Sequence, residues 1–250
     1  MSAESCLALT WLGHATVLLE LDGARLLTDP VLGDRIGPLV RVAPSVDRNA
    51  LGRIDGVLLS HLHADHADLR SLRAIAAMAP VLAPYQAAVW LGRKGLSDLR
   101  DLRTGDVHRI GAVSVTAVPA AHDRRRRPFG PAADPLGYVV RGSRSAYFAG
   151  DTDLHHTMAD LRGSIDAALL PVWGWGPTVG PGHLDPASAA RAAALIAPAV
   201  AIPIHWGTFA LPLIGRGDPE EPAREFAALT SRYAPIVDVR LLAPGERTII

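Results

Sequence analysis

The run Ser60-His61-Leu62-His63-Ala64-Asp65-His66 decides how this chain is read. It follows a short apolar stretch, residues 56–59, with the composition of a buried strand. In extended backbone, residues two apart point to the same side, so His61 and His63 can present their imidazoles to one ion. Asp65 and His66 come where the pattern predicts a helix to begin, and they aim at a second position close by. Four residues of these types at this spacing arise by accident in about one chain in a thousand of this composition.

Four polar residues cannot close two metal sites, so more ligands must stand at the ends of other strands. His122 follows a strand predicted over 113–118, and Asp151 follows one over 146–149, in the turn Gly150-Asp151-Thr152. His205 follows a third, over 200–202, in Pro203-Ile204-His205-Trp206-Gly207. Strand ends are where loops converge on a shared cleft. Imidazole and carboxylate donors suit zinc first and manganese or iron as alternatives, and the lack of cysteine ligands argues against a structural zinc knuckle.

Outward from this cluster, Asp22-Gly23 lies between apolar runs at 16–21 and 25–28, the signal of a hairpin. A further strand is expected at 7–12, and others at 81–83, 137–141, 167–170 and 237–242. Residues 67–78 place Leu69, Leu72, Ile75 and Ala76 on one side, the spacing of a helix resting on a sheet. Helices are also predicted from Asp185, a cap residue followed by proline, to Ile196, and from Glu220 to Tyr233. The proline-punctuated stretch 30–49 reads as a loop. Hairpins first, then strands mixed with helices in both halves, predict two mixed sheets covered by helices, α/β in class, within one domain spanning 1–250.

Composition narrows the function. The chain has 250 residues, 49% hydrophobic and 20% charged, with 25 basic and 25 acidic side chains, which excludes a disordered tail or a basic nucleic-acid coat. A chain this long buries roughly 70–75% of its unfolded surface, so a metal is needed for chemistry rather than for folding. The single cysteine, Cys6, forms no internal disulfide, and Met1–Ser5 lack the basic segment of an export signal, so a cytoplasmic location is expected. No segment offers the ~20 uninterrupted apolar residues of a membrane span.

The order His-x-His-x-Asp-His, His, Asp, His resembles the metallo-β-lactamase superfamily of binuclear hydrolases. Trp11-Leu12-Gly13-His14-Ala15-Thr16, Thr28-Asp29-Pro30, Gly150-Asp151-Thr152, His183-Leu184-Asp185-Pro186 and the segment from Pro203 to Phe209 are similar to a narrower group within it. That group includes the N-acylphosphatidylethanolamine-hydrolysing phospholipase D and the ascorbate-6-phosphate lactonase. The resemblance implies a four-layer αββα sandwich. It also implies that His61, His63 and His122 hold one divalent ion, that Asp65, His66 and His205 hold the other, and that Asp151 bridges them.

Two such ions lower the pKa of a shared water and polarise the substrate, so a metal-bound hydroxide replaces a serine or cysteine nucleophile. Asp65 is expected to orient or deprotonate that nucleophile, and His183 to act as proton donor or oxyanion partner. Asp29 is expected to accept from the far nitrogen of a ligand histidine and so fix its tautomer. Arg124 and Arg125, in the run Arg124–Arg127, are expected to bind an anionic group of the substrate, with His14 and Trp206 also lining it and Trp173 and Trp175 as cleft walls.

The expected activity is therefore hydrolysis of an ester-type bond in a small anionic molecule, a phosphodiester or a phosphorylated compound. A lactonase using the same ligands is the enzymatic alternative, and an inactive metal-stabilised binding scaffold the non-enzymatic one. Nucleic acid is disfavoured as a partner, and a homo-oligomer is allowed.

Overall fold

The Asp-Gly pair turns the chain as its sequence requires: Asp22 and Gly23 take φ of 48° and 80°, the left-handed backbone that a two-residue hairpin loop needs. The computed structural model describes residues 6–126, 130–174, 176, 178–212 and 217–250. The chain begins with β1 (Leu7–Gly13), β2 (Thr16–Leu21) and β3 (Ala24–Thr28). It continues through β4 (Arg35–Ile36), β5 (Leu39–Arg41), β6 (Gly56–Leu58), α1 (Leu69–Ala76), β7 (Val81–Pro84), α2 (Ala87–Arg93) and β8 (Leu99–Leu102). Then come β9 (Val107–Ile110), β10 (Val113–Pro119), β11 (Leu136–Arg141), β12 (Ser145–Phe148), β13 (Ala167–Pro171) and α3 (Pro186–Ile196). The last elements are β14 (Val200–Ile204), β15 (Phe209–Ala210), α4 (Glu221–Tyr233), β16 (Asp238–Val239) and β17 (Arg247–Ile249).

These strands form two seven-stranded mixed sheets, ordered β17-β1-β2-β3-β6-β7-β8 and β16-β14-β13-β12-β11-β10-β9. One core lies between them. Leu7, Leu9, Trp11, Leu19 and Leu26 of the first sheet share it with Val115, Tyr138, Val140 and Phe148 of the second. Leu72, Ile75 and Ala76 of α1 and Leu91 of α2 cover the outer face of the first sheet through Leu27, Val57 and Leu59. The Ala-rich face of α3, together with Phe226 of α4, packs against the second. The result is the metallo-β-lactamase-type sandwich of two sheets flanked by helices. Among the described residues, no helix is long and apolar enough to cross a membrane.

The structure departs from the expectations where segments are short or polar. The loop expected over 30–49 contains β4 and β5, which join β15 in a three-stranded sheet, and α2, β8, β9 and β17 carry no expected element. Strand 237–242 shortens to β16. The helix expected from 67 starts at Leu69, because the Asp68 carboxylate accepts from the Ser71 backbone N–H at 3.0 Å and caps it. Asp65 and His66 therefore sit on a preceding tight turn, closed by backbone bonds from His66 and Ala67 to the His63 carbonyl at 3.1 and 2.8 Å.

At one end the sheets are stitched together. Tyr138 donates its hydroxyl to the Leu59 carbonyl at 2.8 Å, and the Leu136 N–H reaches the Ser60 carbonyl at 2.9 Å. Gly150 completes the seam: its φ is 61°, and a Cβ there would lie 2.6 Å from the Ser60 Cβ. No larger residue fits this approach without displacing the strand that leads to His61.

The start of α3 yields a test. Asp185 and Ser188 form a reciprocal capping box, with the Ser188 N–H donating to the Asp185 carboxylate at 2.7 Å. Burial works against the Asp185 charge, but the bonds from Ser188 outweigh it and hold this carboxyl below its ordinary value. Asp185→Ala should cost about 1 kcal/mol at pH 7 in chemical denaturation. Because the folded-state value is depressed, the wild-type advantage is fully present above about pH 4 and should shrink as pH falls through the folded-state value. An unchanged gap at pH 2 to 3 would contradict this account.

Candidate metal centre

The candidate ligands gather because strand ends converge. His61 lies just beyond β6, His122 beyond β10, Asp151 beyond β12 and His205 directly after β14. Asp29, directly after β3, is fully buried and anchors the metal-loop strand: its carboxylate accepts from the Ser60 N–H at 2.7 Å and from the Ser60 hydroxyl. Asp29 and His205 both hold left-handed backbone, at φ 30° and 65°. Non-glycine residues rarely do so, and such strain concentrates at functional sites.

Two groups of donors result. In one, His61, His63 and His122 each place a ring nitrogen within 4.8 Å of the others. In the other, ring nitrogens of His14, His66 and His205 and a carboxylate oxygen of Asp65 lie within 4.8 Å of one another. Asp151 touches both: its carboxylate lies 3.1 Å from His66 Nε2, 3.2 Å from His205 Nε2, and 3.9 Å from Nε2 of His61 and of His122.

Hydrogen bonds on the far side of each ring fix which nitrogen faces inward. A carbonyl oxygen can only accept, so the ring nitrogen against it must carry the proton. His205 Nδ1 donates to Trp173 O and His122 Nδ1 to Gly182 O, both at 2.7 Å, and His63 Nε2 donates to Arg125 O at 3.0 Å. His66 Nδ1 is 2.7 Å from the Asp29 carboxylate. The Ser60 hydroxyl spends its proton on Asp29, so it accepts from His61 Nδ1 at 2.9 Å. Five imidazoles thus aim their second nitrogens at the centre. His66 Nε2 and His205 Nε2 face each other at 3.0 Å, as do His122 Nε2 and His63 Nδ1. The inward Nε2 of His61 is buried and meets no hydrogen-bond partner among the described residues.

Ring nitrogens approach each other in this way only with a proton or a cation between them. Two ligands of one tetrahedral ion, each at about 2.1 Å from it, stand roughly 3.4 Å apart, close to these separations. The protonation preferences agree. Burial pushes His61, His63 and His122 below the ordinary histidine value and His205 down to about 3, so these rings are neutral at pH 7. At His66 burial has the same tendency, but Asp151 and Asp29 outweigh it and draw positive charge to that point. Asp65 and Asp151 stay ionised although burial opposes it, because the surrounding histidines favour their charge. Nitrogen and oxygen donors, charge and spacing all match a divalent ion, and the residues form His/Asp clusters consistent with a binuclear metal site.

Other expected residues fall into three situations. His183 reaches the centre, with Nε2 3.3 Å from Asp151 and Nδ1 donating to Gly180 O at 3.1 Å; burial opposes its protonation, but the Asp151 contact raises its pKa. Two residues expected to line the substrate are buried. Trp206 is stacked on Trp11 at 4.7 Å with its N–H on the Pro203 carbonyl, and His14 is 1% exposed. The arginine run divides. Arg124 pairs with Asp134 at the surface, Arg125 supplies the carbonyl under His63, and Arg126 clamps the metal loop by donating to Leu62 O at 2.6 Å while lying over the Trp90 ring. Arg127 and Trp175 lie outside the described residues. Trp173 contributes its carbonyl to His205, and its indole donates to Gly176 O at 3.1 Å.

Sequence reasoning missed the backbone acceptors Trp173, Gly182 and Arg125 and the Ser60 relay, since a carbonyl carries no residue-type signature. One hint existed: Gly182, at φ 81°, leaves only 3.2 Å between its would-be Cβ and His122 Nδ1.

A domain family described as "Beta-lactamase superfamily domain" matches residues 24–206. A metal-dependent hydrolase of Methanopyrus kandleri is 36% identical over 246 residues, covering 95% of this chain and 97% of that protein. An N-acyl-phosphatidylethanolamine-hydrolyzing phospholipase D of Caenorhabditis elegans is 29% identical over 239 residues, covering 83% of this chain and 65% of that one. Among solved structures, a metallo hydrolase from the archaeon Ignicoccus hospitalis superposes with a TM-score of 0.75 at 25% identity, covering 98% of both chains.

Asp29→Asn keeps the size of the side chain while removing the charge behind His66. It should weaken metal retention by about 10–100-fold in a chelator competition, the usual effect of losing an acceptor behind a ligand histidine. Wild-type retention would show that Asp29 only holds Ser60.

Proposed function

This chain belongs to the β-lactamase superfamily, and from that premise we propose that it is a binuclear metal-dependent hydrolase acting on a phosphodiester or a phosphorylated small molecule. The observation that carries the reading is the double encounter of inward-facing imidazole nitrogens at 3.0 Å, with one carboxylate, Asp151, in reach of both. His61, His63 and His122 would hold one ion and Asp65, His66 and His205 the other, with Asp151 between, and the donor set suits zinc ahead of manganese or iron. When bound, such a pair of ions acidifies a shared water and polarises the substrate oxygen.

The chain's own groups supply the rest. Asp65, with its side chain 15% exposed beside the otherwise buried His14, His66 and His205, is placed to orient the attacking water and take its proton. His183, with its side chain 25% exposed, stands on the accessible side of Asp151, where a proton on Nε2 can pass to the leaving oxygen. Asp29, the Ser60 hydroxyl and the three carbonyl acceptors hold the rings in place, so little reorganisation is required. The similarity to a phospholipase D supports a phosphodiester as the scissile group.

Purified protein should contain close to two equivalents of divalent metal by elemental analysis. Asp65→Ala and His205→Ala should fold yet lose at least about 100-fold in turnover of bis-p-nitrophenyl phosphate. A well-folded wild type without metal would refute the reading. Activity confined to simple or phosphorylated lactones, with none on phosphodiesters, would refute the substrate class alone.

A further inference from the structure

We infer that His14 is a positioning residue for the second cation site, acting on Asp65 with its ring and on His205 with its backbone. The inference rests on the binuclear reading above. His14 follows β1 in left-handed backbone at φ 52°, where a non-glycine residue persists only if its surroundings hold it. Those surroundings are specific. The His14 N–H donates to Thr208 Oγ1 at 2.6 Å, and its carbonyl accepts from the His205 N–H at 2.8 Å and from the Trp11 indole at 2.9 Å. The neighbouring Gly13 permits the approach, because a Cβ there would stand 2.9 Å from Thr208 Cγ2.

The turn after β1 is thus bonded to the loop that carries His205, and His205 is itself a strained residue. From this platform the His14 ring packs 3.9 Å from the His205 ring, with Phe209 edge-on at 5.5 Å, and Nε2 reaches the Asp65 carboxylate at 3.2 Å. Asp65 belongs to a tight turn rather than to a helix or strand, and the hydrogen bond from a buried, immobilised ring favours one orientation of its carboxylate. No comparable contact joins His14 to His61, His63 or His122 among the described residues, so the effect should fall on one ion of the two.

The test is uptake of cobalt(II) by the chelated full-length chain, followed by visible absorption and calorimetry. The wild type should take up two equivalents. His14→Asn suits left-handed backbone and keeps every main-chain bond, but its amide ends one bond short of the position of Nε2. It should bind one equivalent as the wild type does and the other about 10–100-fold more weakly. His14→Gln places an amide nitrogen three bonds beyond Cβ, as Nε2 is, and should recover most of the loss. Equal weakening of both equivalents, unchanged uptake by H14N, or an H14Q no better than H14N would overturn the assignment. A wild type that takes up no second equivalent would remove the binuclear reading itself, and the inference with it.

Discussion

The arrangement depends on concentrating electron-rich atoms in a place from which water is largely withdrawn. Five imidazoles and the carboxylates of Asp65 and Asp151 turn toward one small region, and Asp29 stands directly behind it. Nothing about such a cluster stabilises the fold by itself: buried like-polarity groups cost free energy until a cation meets them. The rest of the molecule can be understood as what keeps them there. Orientation comes from the outer hydrogen bonds, each fixing a tautomer, and position comes from strand ends that the sheets hold rigid.

The strain is distributed accordingly. Three of the non-glycine residues with left-handed backbone, His14, Asp29 and His205, lie in or behind this centre. Each follows a different strand, two in the first sheet and one in the second, and each has its backbone bonded to a neighbouring segment. The inter-sheet core supplies the opposing free energy, with Trp11, Tyr138 and Phe148 among the largest fully buried side chains. The seam of Tyr138, Leu136 and Gly150 brings that rigidity to within one residue of His61 and of Asp151.

Much of this was legible in the sequence. The histidine-aspartate run, the Asp-Gly hairpin, the apolar stripe of α1 and the Asp-Pro start of α3 each combine a local signal with a tertiary role, so pattern and structure agree. What escaped was of two kinds. Strands β8 and β9 are short, with half or more of their residues exposed, and lack the alternation by which strands are recognised. The acceptors behind His63, His122 and His205 are backbone oxygens, available at every residue and therefore marked at none. The arginine run shows the limit from the other direction: four like charges suggest an anion site, yet Arg124 and Arg126 are engaged by Asp134 and by the metal-loop carbonyls, which only the folded chain reveals.

The pairing of β1 with β17 has a consequence for how the molecule is made. Ala8, Leu9 and Thr10 find their partners at Ile249, Thr248 and Arg247. On the ribosome, the β1–β2–β3 meander can close early, but one flank of β1 stays unsatisfied until the last of these residues has emerged. Pairings so distant in sequence form slowly, and an open strand edge is a template for association with other chains. During that interval the nascent protein is most in need of a chaperone's protection at this flank.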